Sequence, residues 1–271
     1  MVATSTEALI ARATSGRRSQ RLAQLLDLIG ERGTVSLTEL SETLGISAAT
    51  VRRDLTTLAD QKLILRTHGG ASALERGREI PVALRDTRFQ EAKRAIAKAM
   101  VRRLPPERHV VALSGGTTTA SVARALADHE DIAVVTNSLT IANLLSEYAG
   151  VRVVMTGGFL RRQSLELVGA LAEGTFNAVN VGTAILGADG ITAASGVSTH
   201  DETEARTNRA MVAKAQRTVV VADGSKVGRV ALAQMASIDQ VAMLITDSSA
   251  DPDELAAIAA AGVEIVIADQ E

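Results

Sequence analysis

The chain has 271 residues, 46% of them hydrophobic, a formal net charge of −2 and no cysteine. That length and apolar content imply a buried core and suit a small domain followed by a larger one, while the missing cysteines exclude disulfides, thiolate metal sites and thiol chemistry. The balanced charge confines any nucleic-acid binding to a local patch, and three Phe, one Tyr and no Trp speak against stacking of single-stranded bases.

Residues 1–17 are small and polar and are expected to form a disordered tail. From Arg18 the pattern turns helical: Leu22, Leu25, Leu26 and Ile29 share one face, and Gly30 and Gly33 end the helix. Ser36-Leu-Thr-Glu39 is a capping box that opens a second helix, with Leu37, Leu40 and Leu44 on its inner face. Gly45 stops it, and Ser47 caps a third helix running to about Asp60. On that helix Val51, Leu55 and Leu58 point inward, leaving Ala48, Ala49, Thr50, Arg52 and Arg53 on other faces. Two short helices around a tight glycine turn, the second with an arginine-bearing outer face, predict a helix-turn-helix over 35–54. Lys62 to Ala71, strand-like and turned by Gly69-Gly70, predicts a β-wing and completes a DNA-binding domain over 18–73.

Residues 74–90, charged and containing Pro81, are expected as a linker. A sensing and oligomerisation domain over 91–271 follows, in which apolar runs alternate with helical stretches. The runs are Val110–Leu113, Ile132–Thr136, Val151–Thr156, Thr183–Leu186, Thr218–Ala222, Ala242–Thr246 and Glu264–Ala268. Strands this apolar, separated by helices, predict an α/β fold: a doubly wound, mostly parallel sheet covered on both faces.

Ligands of such sheets collect beyond the carboxyl ends of the strands. There the sequence places Ser114-Gly-Gly-Thr-Thr118 ahead of a helix, a glycine loop whose free N–H groups and hydroxyls suit a phosphate. It lacks the Gly-Lys-Ser/Thr ending of a nucleotide triphosphatase loop. Other strand ends offer Asn137, Gly157, Gly158, Asp189, Glu204 and Lys226. The candidate effector residues are therefore Ser114, Gly116, Thr117 and Thr118 with these six, an inventory that fits a phosphorylated sugar or polyol.

Residues 47–71, from Ser-Ala-Ala-Thr-Val-Arg-Arg-Asp-Leu to Leu-Arg-Thr-His-Gly-Gly-Ala, resemble the signature of the DeoR-type family of sugar-operon transcriptional repressors. Glu91–Ala97, Gly116–Thr118, Thr136–Ser138, Gly157-Gly158, Gly187–Gly190 and Asp223–Lys226 are similar to pieces of that family's sensor domain. The resemblance covers about Arg18 to Ala268 and implies a winged helix-turn-helix joined to a sensor with the fold of ribose-5-phosphate isomerase. Ser114 stands where the family usually has an aspartate, so this chain lacks one carboxylate that could hold a sugar hydroxyl.

Ser47, Ala48, Ala49, Thr50, Arg52 and Arg53 are the residues expected to meet double-stranded operator DNA, the small ones at base edges and the arginines at guanine or phosphate. Arg66 and His68 of the wing are expected on the DNA backbone. The expected partners are operator DNA, a phosphorylated effector and further copies of the chain, as dimer or tetramer. No cofactor, metal or membrane is expected: the four histidines lie far apart, and no apolar run approaches the ~18 residues of a membrane span. Met1 to Gly16 lacks the basic start and compact apolar core of a secretory signal, which points to the cytoplasm. Two alternatives stand beside the repressor: a sugar-phosphate isomerase with a DNA-binding appendage, and an N-terminal module that binds protein.

Overall fold

A computed structural model describes residues 3–268 apart from 62, 74–78, 87, 106, 128 and 130. The chain divides into two compact units, Met1–Arg88 and Phe89–Glu271.

The first unit comprises α1 (Ala3–Arg32), β1 (Thr34–Ser36), α2 (Leu37–Leu44), α3 (Ala48–Asp60), β2 (Ile64–Thr67), β3 (Gly70–Ala73) and α4 (Val82–Arg85). Its core joins Leu22, Leu25 and Ile29 of α1 to Leu40 of α2 and to Val51, Leu55 and Leu58 of α3. Gly45 turns between α2 and α3 at φ +62, a left-handed conformation that glycine adopts without a Cβ clash. β2 and β3 form the antiparallel wing, with β1 added on the far side of β3.

Four expectations need adjusting here. Ala3 to Arg17, expected as disordered tail, continue α1; the stretch holds no proline and is rich in alanine, the strongest helix former. Gly30 lies within the helix, which ends at Gly33 with φ +77. The capping box is half formed: the Ser36 hydroxyl accepts from the Glu39 amide at 3.2 Å, but the Glu39 carboxylate pairs with Arg32 instead of reaching back. Within 74–90, Val82 and Leu84 of α4 are buried and Leu84 joins the core of the first unit, so this part of the expected linker is packed structure. Lys62 of the expected wing and residues 74–78 and 87 of the expected linker lie outside the described residues.

The second unit contains a seven-stranded parallel sheet. In chain order its elements are α5 (Gln90–Val101), β4 (His109–Leu113), α6 (Thr117–Leu126), β5 (Ile132–Thr136), α7 (Leu139–Leu145), β6 (Val151–Met155), β7 (Phe159–Arg161) and β8 (Glu166–Val168). There follow α8 (Ala170–Asn177), β9 (Val181–Leu186), β10 (Gly190–Thr192), β11 (Gly196–Thr199), α9 (Glu202–Ala213) and β12 (Ala215–Val221). β13 (Ala233–Ala236), β14 (Met243–Asp247), α10 (Pro252–Ala260) and β15 (Glu264–Ala268) complete it. The sheet order is β15-β14-β12-β9-β4-β5-β6.

Alternation along each strand builds the three layers. Val111 and Leu113 pack with Ile96 and Met100 of α5, Val122 of α6 and Ile141 of α7 on one face. Ala112 between them joins Phe176 of α8, Met211 of α9 and Ile258 of α10 on the other. From β4 the chain winds outward through β5 and β6, then returns past β4 to lay down β9 on its other side. The strand order therefore reverses between β4 and β9. Their carboxyl ends open the crevice where such sheets take ligands. Two antiparallel additions, the β7–β8 hairpin and the β10–β11–β13 sheet, attach around the parallel sheet.

A candidate DNA-binding face and a candidate effector site

On the first unit, Ser47 caps α3 by accepting from the Thr50 amide at 3.3 Å, and its hydroxyl lies 2.9 Å from that of Thr50. Ala48, Ala49, Arg52 and Arg53 are exposed, as a face that meets a groove must be. Asp54, the next residue, turns inward: Arg21 of α1 donates to its two carboxylate oxygens at 2.5 and 3.3 Å. That hydrogen bond raises the arginine's own pKa. Arg66 of the wing donates to the Thr56 hydroxyl at 3.1 Å, which brings it to the outer side of α3. His68 lies exposed in the wing turn. Recognition helix and wing therefore present Arg52, Arg53 and Arg66 together. Asp54 carries its charge out of that face.

In the second unit the switch point is tied by Ser114. Its hydroxyl accepts from the Gly187 amide at 3.0 Å, joining the end of β4 to the end of β9. The glycine loop then runs into α6, whose N-cap Gly116 supplies no side-chain cap. The opening amides of α6 are thus left for an anion. Thr117 and Thr118 occupy the first helical turn. Asn137, one step beyond the register pair Leu113↔Thr136, is fully buried, and neither polar atom of its side chain has a hydrogen-bond partner. Leaving a buried amide unsatisfied costs about 1–3 kcal/mol.

A chain of side-chain contacts joins the remaining candidates. The Lys226 ammonium lies 3.8 Å from Asp189. The Thr199 hydroxyl bridges Asp189 at 3.2 Å and Glu204 at 2.5 Å. Glu204 in turn neighbours Glu166, whose charge raises its pKa. The Glu166 carboxylate accepts from the Gly115 amide at 2.6 Å, back on the glycine loop. Arg161 holds the chain from the side, 3.1 Å from Asp201 and 3.2 Å from Glu204.

Burial and the neighbouring Glu166 raise the Glu204 carboxyl well above its ordinary value, against the opposing pull of Thr199 and Arg161. Asp201 goes the other way: burial works to raise it, but the Glu204 amide and Arg161 outweigh burial and hold it low.

Ser114, Asp189, Glu204 and Lys226, picked from separate segments, are thus linked by one chain of contacts. Gly157 and Gly158 are not joined to it by any side-chain contact. They form the turn into β7, with Gly158 at φ +130 against the backbone of Val168. Their part is to launch the hairpin that carries Arg161 and Glu166. Those two residues, with Thr199, are absent from the sequence-derived set. The available signal was Glu166 itself, a charge set between Leu165 and Leu167 in an otherwise apolar run.

Residues 21–76 match the DeoR-like helix-turn-helix domain, and residues 88–248 the DeoR C terminal sensor domain. The putative aga operon transcriptional repressor of Escherichia coli O157:H7 is 37% identical over 252 residues, 92% of this chain and 93% of that protein. The HTH-type transcriptional regulator GlpR of Haloferax volcanii is 40% identical over 249 residues, 92% of this chain and 97% of that protein. The glycerol-3-phosphate regulon repressor of Escherichia coli K12 is 34% identical over 232 residues, covering 86% and 92%. Among solved structures, a D-ribose-5-phosphate isomerase in complex with phospho-erythronic acid aligns at TM-score 0.39 and 18% identity, covering 51% of this chain and 53% of that one. No helix among the described residues is long and apolar enough to cross a membrane.

Proposed function

The chain belongs to the DeoR family of transcriptional regulators, and from that premise we propose that it represses a sugar or polyol catabolic operon and leaves its operator when a phosphorylated sugar metabolite binds. The observation that carries the effector half is the uncapped N-terminus of α6 beside the buried, unpartnered amide of Asn137. Helix amides and the Thr117 and Thr118 hydroxyls take the phosphate, Lys226 adds a charged donor, and Asn137, Asp189 and Glu204 take the hydroxyls. The DNA half rests on the exposed Arg52, Arg53 and Arg66 around a capped recognition helix.

Release is a population shift, since an effector lowers operator affinity only by binding the DNA-incompetent arrangement more tightly. Moving that balance from about 1:99 to 99:1 takes about 5.5 kcal/mol of differential binding. A repressor of this type reads paired half-sites, so it acts as a homo-oligomer, dimer or tetramer. Exposed Phe159, Leu160 and Leu171 offer apolar surface to a second copy.

The test is footprinting of the full chain on DNA flanking its own gene, with and without a panel of phosphorylated sugars and polyols. Protection of a paired site, erased by one phosphorylated compound and not by its unphosphorylated parent, is the expected result. No protection, or protection indifferent to every phosphorylated compound, refutes the corresponding half.

One feature, the neighbouring carboxyl groups of Glu166 and Glu204, favours a second reading. An isomerase moves a proton between carbons and needs an acid–base group of raised pKa. Turnover of pentose or hexose phosphates would establish it, and their unchanged recovery would remove it.

A further inference from the structure

We propose that Glu166 is a built-in occupant of the effector's phosphate seat and that it sets the ligand class: a phosphomonoester dianion displaces it, whereas neutral sugars and sugar-acid monoanions do not. This rests on the effector-site reading above and adds to it a residue that the reading did not need.

The geometry is that of an anion already seated. The Glu166 carboxylate accepts from the Gly115 amide at 2.6 Å, the contact that an incoming phosphate oxygen would claim. It presses so close that a Cβ built on Gly115 would run into Cδ and Cγ of Glu166, so glycine at 115 is what admits it. Glu166 is only 2% exposed. Its place is fixed by backbone: Leu139 donates to the Leu165 carbonyl at 3.0 Å, and Leu167 donates to the Asn137 carbonyl at 2.7 Å. The hairpin therefore delivers the carboxylate to the loop as part of the fold.

The groups around it explain why a stronger anion can evict it. Facing Glu166 are Glu204 of α9 and the Gly115 amide of the loop. Behind Glu204 stand Arg161 of β7, Asp201 at the start of α9 and Thr199 of β11, with Asp189 and Lys226 beyond. A carboxylate that swings away from this place gives up one amide and its contact with the Glu204 carboxyl group. A phosphate dianion gains the several opening amides of α6 at once, together with Lys226. A sugar acid brings only the charge that Glu166 already supplies, and a neutral sugar brings none. Neither can repay the displacement.

The experiment is calorimetric titration of the full chain with inorganic phosphate at fixed pH and ionic strength. It compares the unaltered protein, Glu166→Gln, and each of these carrying Thr117→Glu, which sets a carboxylate at the first turn of α6. Glutamine keeps the shape and the acceptor for Gly115 but removes the competing charge, so phosphate should bind about tenfold more tightly, and gluconate should become a measurable ligand. Thr117→Glu should abolish binding in both backgrounds. Equal or weaker phosphate affinity in Glu166→Gln, with Thr117→Glu still abolishing binding, overturns the role of Glu166 and leaves the effector site standing. Binding indifferent to Thr117→Glu overturns both. Thermal melting accompanies each titration, and Glu166→Ala replaces the glutamine variant if that one fails to fold.

Discussion

Arg21 of α1 grips Asp54 of α3 through both carboxylate oxygens, at 2.5 and 3.3 Å, with Asp54 buried beneath the recognition helix. The contact fixes the rotation of α3 about its own axis, because Asp54 can meet Arg21 only if Arg52 and Arg53 point outward. Removing the carboxylate leaves a partly buried guanidinium without its partner. Asp54→Ala should therefore destabilise the DNA-binding unit by about 1.5–3 kcal/mol, the range for a hydrogen bond to a charged group. Urea unfolding followed by circular dichroism reads this, and an unchanged midpoint would mean that packing alone orients α3.

Arg52 and Arg53 should behave in the opposite way. Both side chains are exposed, so replacing both with alanine removes cations from the DNA face and little from the core. Operator binding should be lost while the melting temperature stays within about a degree, as expected for surface changes worth less than about 0.5 kcal/mol. Fluorescence anisotropy on operator DNA across a salt series checks it. Tight binding by the double variant would move the interface elsewhere on the unit.

The same triplet shows where sequence reading works and where it stops. Val51, Leu55 and Leu58 mark the inner face of α3 by spacing alone, and the parallel strands announce themselves because burial on both faces makes them continuously apolar. Ile132–Thr136 and Glu264–Ala268 appear in the structure with the expected limits. Asp54 lies three residues after Val51 and so belongs to the inner face, yet in Arg-Arg-Asp it reads as one more surface charge. Nothing local announces a partner 33 residues upstream. β7 and β8 have three residues each, too few for any period to register. The hairpin they make carries Arg161 and Glu166 into the site. Asn137 was legible by its place at a strand end, but that both its polar atoms lack partners emerges only once the neighbours are folded around it.

Lys226 sits 3.8 Å from Asp189 with part of its side chain open to solvent. Lys226→Ala should leave the fold intact, because Asp189 keeps the Thr199 hydroxyl at 3.2 Å. Loss of a charged donor to phosphate is worth about 1.5–3 kcal/mol, so the effector concentration that releases operator should rise by about ten- to a hundredfold. Thr117→Ala should shift it by less, since a neutral hydroxyl contributes about 1 kcal/mol. Operator affinity without effector should be unchanged in both. Effector titrations of the operator complex decide, and a wild-type midpoint for Lys226→Ala would remove the lysine from the site.

Glu204 gives the sensor unit a pH dependence of definite sign. Burial, then the charge of Glu166, raise its carboxyl well above the ordinary value, so the folded unit binds this proton more tightly than the unfolded chain does. Stability from that source is complete below about pH 4.3, the unfolded value, and is lost as pH rises through the folded value. Asp201 and Asp247, both held low, act in a different window. They stabilise above the ordinary aspartate value and fail only as pH falls through their own. Thr199 and Arg161 pull the Glu204 carboxyl the other way, and burial with Glu166 outweighs them. Glu204→Gln stays neutral at every pH and should flatten the profile. Tyr148, the single tyrosine of the chain, lies in the sensor unit, so its fluorescence follows that unit alone through a urea titration. As pH rises above the unfolded value the unaltered protein should lose stability relative to the variant, which should be the more stable at the alkaline end. Were Glu204 instead ionised and held by Arg161, the glutamine variant would be the weaker at every pH, and the two curves would run parallel.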